Sequence, residues 1–304
     1  MKTYLKKSLA LLLAVLLPFV AAFGLLLKMP DHRGGTIAGS LRYKTHLLEQ
    51  TPGPRIIFAG GSSSPYGTVC EEVQRQLGRT TINVGATAYL GLPLYLKLLR
   101  QHAVAGDVIV LALENSLLQG EGINYSLVWE AAGQDPQVWR SVPLSYLPGV
   151  ACSGLEYYRM KKAVLHEEKP SYHPDFGPLG DVTAPRQTLL ESGYLGGDPI
   201  YLQKENIYEK NIRRINRFAR EMKKRGVTVV FAFAPLDILA VQTNAQQNAD
   251  FAAAVEEKLE IPVIVGMDKA LMEGRYFYDS NNHLTSEGAA INTANLIQGL
   301  RPYL

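Results

Sequence analysis

The chain has 304 residues, 47% apolar and 19% charged, enough apolar side chain to offset chain entropy and so to exclude wholesale disorder. Basic residues number 31 against 28 acidic, a formal charge of +3, and no Lys/Arg run is interleaved with aromatics, which excludes a nucleic-acid-binding patch. The two cysteines, Cys70 and Cys152, have no CxxC or His-rich surroundings; they carry no zinc or redox motif, a disulfide between them lacks support, and they read as buried or semi-buried thiols.

In chain order, Lys2, Lys6 and Lys7 precede an apolar stretch from Leu9 to Leu27, about the twenty residues that cross a bilayer core. A signal peptide has a shorter apolar region and a small-x-small cleavage site, to which only Val20-Ala21-Ala22 comes near, so residues 1–28 are expected to be an uncleaved transmembrane anchor. The three lysines before the span, against Lys28, Asp31, His32 and Arg33 after it, predict a single-pass topology with a cytoplasmic N-terminus and the remainder extracytoplasmic. Residues 29–54, punctuated by Pro30, Gly34, Gly35, Gly39, Pro52, Gly53 and Pro54, read as a linker with one short helix.

From residue 55 strands and helices alternate. Arg55–Ala59, Thr81–Val84 and Asp107–Leu113 read as strands, and Val69–Leu77 and Leu92–His102 as helices. After an irregular stretch at about 116–205 the alternation resumes. A helix at Asn206–Arg225 and a strand at Val227–Phe233 are followed by a helix at Ala245–Leu259, a strand at Ile261–Val265 and a closing helix at Ser286–Leu300. The pattern predicts an α/β domain over 55–304 with a parallel sheet of about five strands, in a flavodoxin-like three-layer sandwich. The stretch 116–205 reads as an insertion of short helices and loops. Its aromatics, Tyr125, Trp129, Trp139, Tyr146, Tyr157, Tyr158 and Tyr172, are expected to pack it on the sheet in preference to stacking on sugars.

In such a sheet the site forms beyond the carboxyl ends of the strands. Three loops there are unusual. Gly60-Gly61-Ser62-Ser63-Ser64-Pro65-Tyr66-Gly67 offers a tight turn and exposed hydroxyls but neither the Lys of a phosphate loop nor GxGxxG order, which argues against a nucleotide. Asn83-Val84-Gly85-Ala86-Thr87-Ala88 offers an amide and backbone N–H groups for an oxyanion hole. Glu114-Asn115-Ser116 ends a fully apolar strand in polar residues. Near the C-terminus, Asp279-Ser280-Asn281-Asn282-His283 sets a carboxylate before a histidine. A serine needs a base to take its proton, and that base a partner to hold its tautomer, so Ser62, His283 and Asp279 fill three catalytic roles.

These blocks, in this order over residues 55–300, resemble the SGNH (GDSL-like) hydrolase superfamily. The resemblance implies a serine esterase or O-acyltransferase with Ser62 as nucleophile, Ser63 if the register is off by one, and His283 and Asp279 as its partners. It further implies oxyanion or binding groups at Gly61, Gly85, Ala88 and Asn115, and no metal or cofactor. The chain departs from the family pattern in four places. Gly61 replaces an Asp, Ala88 or Tyr89 falls where a glycine is usual, Glu114 precedes Asn115, and three residues separate Asp279 from His283 where two are common. The single anchor, the GGS loop, the Gly106–Glu114 strand and the longer Asp–His spacing look like bacterial cell-envelope proteins similar to the D-alanine transfer protein of teichoic-acid modification. That group implies a membrane-bound O-acyltransferase partner and a glycan or cell-wall polymer substrate. A non-catalytic scaffold of the same fold, binding polymer or the acyltransferase, is the alternative that the departures leave open.

Overall fold

The computed structural model describes residues 2–29, 35–164, 175–189 and 199–304. Residues 30–34 of the expected linker, with the charges Asp31, His32 and Arg33, and Tyr172 of the insertion lie outside them.

Five short strands, β1 (Ile56–Gly60), β2 (Thr81–Asn83), β3 (Val108–Leu113), β4 (Thr228–Phe233) and β5 (Val263–Val265), form one parallel sheet in the order β2-β1-β3-β4-β5. This is the flavodoxin-like order, in which the chain starts in the middle and winds outward both ways. The strands carry apolar residues on both faces because both are covered. Ile57, Ala59, Ile109, Leu111, Val229 and Phe231 point into one core, and Ile56, Phe58, Val108, Val110, Val230 and Ala232 into the other. The first core is roofed by α5 (Leu92–His102), α10 (Glu209–Lys224) and α11 (Ala245–Lys258). The second is roofed by α4 (Cys70–Leu77) and α13 (Ser286–Leu300). The expected three-layer α/β sandwich is therefore present.

Local chemistry sets the helix ends. Gly78 closes α4 at φ +63, a left-handed conformation that costs glycine little. Asn244 and Gln247 form a reciprocal capping box at the start of α11.

Two regions differ from the sequence reading. The short helix expected within residues 29–54 is α2 (Ser40–Gln50), but it is packed on the domain rather than lying in a free linker, with Leu41 and Leu48 fully buried in the first core. The helix is also tied down by the buried Arg55, whose guanidinium pairs with Asp107 at 2.8 Å and donates to the carbonyls of Leu48 and Thr51 at its end. Within the insertion lie α6 (Asn115–Gln119), α7 (Tyr125–Ala132), α8 (Pro136–Ser141) and α9 (Leu147–Val164), the last of 18 residues rather than a short helix. Trp129, Tyr146 and Tyr157 are buried, with Trp129 stacked on Tyr157 at 5.4 Å and edge-on to Trp139 at 5.3 Å, so these insertion aromatics form a packing cluster. Both cysteines, read as buried or semi-buried, are free thiols, but only Cys70 is buried, whereas Cys152 is exposed on α9.

At the N-terminus α1 (Lys2–Lys28) is long and apolar enough to cross a membrane, and its apolar side chains are largely uncovered by the rest of the chain.

Candidate active site

Beyond Gly60, the last residue of β1, the chain turns directly into α3 (Ser63–Gly67), with Ser62 as the residue before its first turn. The side chains around this turn separate the two candidate serines. Ser63 is fully buried, its N–H donates to Glu114 Oε1 at 2.9 Å, and its hydroxyl has no hydrogen-bond partner among the described residues. Ser62 is half-buried and its hydroxyl makes no hydrogen bond among the described residues, so of the two it is the one a substrate can reach.

Glu114, the residue after β3, packs its carboxylate against Gly61. A Cβ on Gly61 would overlap the Glu114 carboxylate, which lies over the turn and accepts from Ser63 N–H. Gly61 and Glu114 are thus one arrangement, in which the carboxylate just after β3 fills the space that a side chain at position 61 would take.

The second loop is clamped to the first by Asn83. Its Nδ2 donates to Ser64 O at 3.0 Å, and its Oδ1 accepts from Gly85 N–H at 2.9 Å and from Ser64 Oγ at 3.2 Å. The Gly85 N–H is therefore engaged with Asn83. Glycine is needed there because a Cβ would press on Ser64, Pro65 and Asn83. Ala86 N–H donates to Tyr95 Oη at 3.2 Å, and Ala88 is buried at the start of a short 3-10 turn, Ala88–Leu90. From the other side the buried Lys44 of α2 donates from Nζ to Gly85 O and lies 4.2 Å from the Phe176 ring. Burial pushes the Lys44 ammonium down to about 7. Cys70 N–H donates to Asp181 Oδ2 at 3.1 Å nearby, and burial pushes both the Cys70 thiol and the Asp181 carboxyl up.

The histidine comes from the loop before α13. Tyr278 N–H donates to His283 O at 2.7 Å and Phe277 pairs with Leu284 antiparallel, which folds residues 278–283 into a tight loop. Inside it Ser280 Oγ accepts from His283 N–H at 3.2 Å and Asn282 N–H at 3.4 Å. That turn accommodates the three residues between them, and Asp279 Oδ1 lies 2.7 Å from His283 Nδ1, with both side chains largely covered. Behind the loop Asp237 N–H donates to Asn281 O at 3.0 Å, and burial raises the Asp237 carboxyl, whose Oδ2 has no partner among the described residues.

Tyr66 joins the two halves. It lies one helical turn after Ser62, its N–H donates to Ser62 O at 3.3 Å, and its ring stacks on the His283 imidazole with centroids 4.0 Å apart and planes 8° apart. The buried Arg186 donates to Tyr66 O at 3.2 Å and to Leu284 O at 3.1 Å, so the segment 175–189 closes over the serine turn and the histidine loop together. Asp279, His283, Tyr66 and the Ser62 turn thus form one continuous unit at the carboxyl edge of the sheet. No hydrogen bond joins Ser62 Oγ to His283 among the described residues. Asn115, at the start of α6, bonds Gln119 through its amide at 3.3 Å and borders a separate cleft of about 490 Å³ with Gln119, Pro199, Ile200, Tyr201 and Asn206. Among the described residues no group of three or more His, Cys, Asp or Glu is placed to hold a metal ion.

Tyr66, Lys44, Arg186 and the role of Glu114 are the parts sequence reasoning missed. Only Tyr66 had a signal, its spacing of four residues from Ser62 on a helix-forming turn.

No family model and no curated protein matches the chain. A solved structure from Streptococcus pneumonia described as a "putative platelet activating factor" covers 88% of this chain and 90% of its own, at 15% identity and a TM-score of 0.37. A likeness that small carries no weight in the functional reading.

Proposed function

We propose that this chain is a membrane-anchored, extracytoplasmic serine esterase or O-acyltransferase acting on an envelope polysaccharide or cell-wall polymer, similar to the envelope group of SGNH hydrolases. The observation that carries the reading is the 2.7 Å Asp279–His283 contact held against Tyr66, one turn from a reachable Ser62. Ser62 Oγ attacks the acyl carbonyl carbon while His283 Nε2 takes its proton, and Asp279 holds the Nδ1–H tautomer and stabilises the imidazolium. Collapse of the tetrahedral adduct breaks the ester bond, and the same proton passes from Nε2 to the leaving alkoxide, leaving acyl-Ser62. A glycan hydroxyl or water then attacks with His283 as base, and the acyl group leaves Ser62, which recovers its proton. With Ser63 N–H bonded to Glu114 and Ser64 N–H to Gly61 O, the Ser62 N–H is the candidate donor of this turn for the oxyanion, a donor of this kind contributing roughly 3–4 kcal/mol in related chemistry. A membrane-bound O-acyltransferase is the partner we would expect to deliver the acyl group across the bilayer.

The engaged Gly85 N–H, the Asn115–Gln119 bond and a Ser62 hydroxyl with no hydrogen bond to His283 among the described residues favour a second reading, a scaffold of the same fold that binds polymer or acyltransferase without chemistry. Intact-mass measurement after incubation with a chromogenic acetyl ester separates the two. An adduct on Ser62 that disappears in Ser62→Ala and accumulates or slows in His283→Ala supports the enzyme. Polymer binding unchanged by Ser62→Ala, with no adduct under any condition, supports the scaffold.

A further inference from the structure

We propose that the exposed apolar face of α9, with the short 3-10 turn before it (Leu144–Tyr146), lies in the membrane–water interface as a second lipid contact beside α1. The proposal rests on the reading that α1 spans a bilayer, and it starts from the length of that span. A hydrocarbon core of about 30 Å takes about twenty helical residues, so a span that begins at Ser8 runs to Leu27. Yet the last turns of that span are already gripped by the domain. The Phe23 ring lies 4.7 Å from Trp129 and 5.5 Å from Trp139, and Leu26 and Leu27 pack against the first core. Lys161 Nζ donates to the carbonyls of Leu26 and Met29 at 3.1 and 3.0 Å, and Gln134 Nε2 to Leu27 O at 2.7 Å. From Phe23 to Leu27 is about 6–8 Å of helix, so the domain surface beside it must enter the bilayer by about that depth. That is the depth at which interfacial amphipathic helices lie, about 5–10 Å.

The surface brought there is apolar. One face of α9 packs inward through Val150, Gly154, Tyr157 and Lys161, against Trp129 and the end of α1. About a quarter turn away, Leu147, Leu155 and Tyr158 are 46%, 60% and 42% exposed, and Leu144 before the helix is 79% exposed. Leu147, Ala151 and Leu155 repeat at the four-residue spacing that makes a stripe, and Arg159 and Lys162 border it with positive charge suited to lipid headgroups. Left in water the stripe would be an unexplained apolar patch. Its attachment to the final turns of a membrane-crossing helix points to lipid as what covers it.

The test uses the full chain reconstituted into vesicles of phosphatidylcholine and phosphatidylglycerol, which contain no other protein. Nitroxide labels are placed at Leu155→Cys, at Leu12→Cys within the span and at Ile291→Cys on the exposed side of α13, each in a Cys152→Ser background; Cys70 is buried. Collision rates with oxygen and with a water-soluble nickel chelate are then measured. The expected result is a label at Leu155→Cys shielded several-fold from the chelate and enriched in oxygen, like Leu12→Cys and unlike Ile291→Cys. If Leu155→Cys behaves as Ile291→Cys while Leu12→Cys is in lipid, the anchor stands and the interfacial contact is overturned. If Leu12→Cys is itself open to the chelate, the spanning reading falls and the contact with it.

Discussion

At the scale of single residues, the histidine loop is built around one carboxylate with one task. Asp279 lies 2.7 Å from His283 Nδ1, and Ser280 shapes the turn that brings it there. Asp279→Asn keeps the shape but presents an amide that favours the wrong imidazole tautomer. We expect about a 10⁴-fold loss in kcat for ester cleavage with little change in thermal stability. Equal activity in Asp279→Asn and the parent chain would remove Asp279 from the mechanism. The Gly61–Glu114 pair makes a second prediction. Gly61→Ala pushes a methyl into the Glu114 carboxylate and should destabilise the chain by about 1–3 kcal/mol, as overpacked sites do. Glu114→Ala opens that space at the expense of the bond to Ser63 N–H. In a double-mutant cycle read by urea unfolding, the two changes together should cost less than their sum, and strict additivity would mean that the carboxylate does not fill the site.

At the scale of elements, legibility followed periodicity. The five strands could be read because each is a short apolar run closed by polar or glycine residues, and α5, α10, α11 and α13 because their apolar residues recur at helical spacing. The short helix α2 was expected, but its docking into the core escaped because half of its inward face is polar. Leu41, Lys44, Thr45 and Leu48 have the helical spacing, but Lys44 and Thr45 hide the stripe among flanking glycines and prolines. The length of α9 escaped because its apolar residues point both inward and outward, which erases the period. In the site the Asp–His block and the serine turn were legible as residue types. The stacking of Tyr66 on His283 was not, since it joins positions more than two hundred apart in the chain. The attachment of α2 gives an element-scale prediction. Asp107→Ala leaves the Arg55 guanidinium buried without its carboxylate and should cost about 3–5 kcal/mol in urea unfolding, whereas Arg55→Met with Asp107→Leu should recover most of the loss. Because this pair lies at the amino end of β1 and β3, opposite Ser62, ester cleavage per folded molecule should be unchanged in both variants.

At the scale of the whole molecule, the N-terminal third is what connects a helix long and apolar enough to cross a membrane to the candidate site. The chain passes from α1 through α2, whose Lys44 ends on the carbonyl of Gly85 in the loop that Asn83 clamps to the serine turn. Burial holds that lysine at about 7 in the folded chain against an ordinary 10.5. Between these values the unfolded chain binds a proton that the folded chain does not, so stability rises with pH across this window; below about 7 the lysine is charged in both states and the cost of burying the charge is complete. The Cys70 thiol, raised by burial, acts in the opposite sense above its ordinary 9.0, which makes pH 7 to 9 the window to examine. Asp181, also raised by burial, faces the same cluster and is common to parent and variant. The detergent-solubilised chain should therefore gain stability from pH 7 to 9, with a slope from Lys44 approaching about 1.4 kcal/mol per pH unit. Lys44→Met, which keeps the length of the side chain and removes its charge, should flatten that slope. If the unfolding free energies of the parent and Lys44→Met run parallel from pH 7 to 9, Lys44 is charged throughout, and the loop behind Ser62 rests on a buried ammonium rather than on a neutral amine.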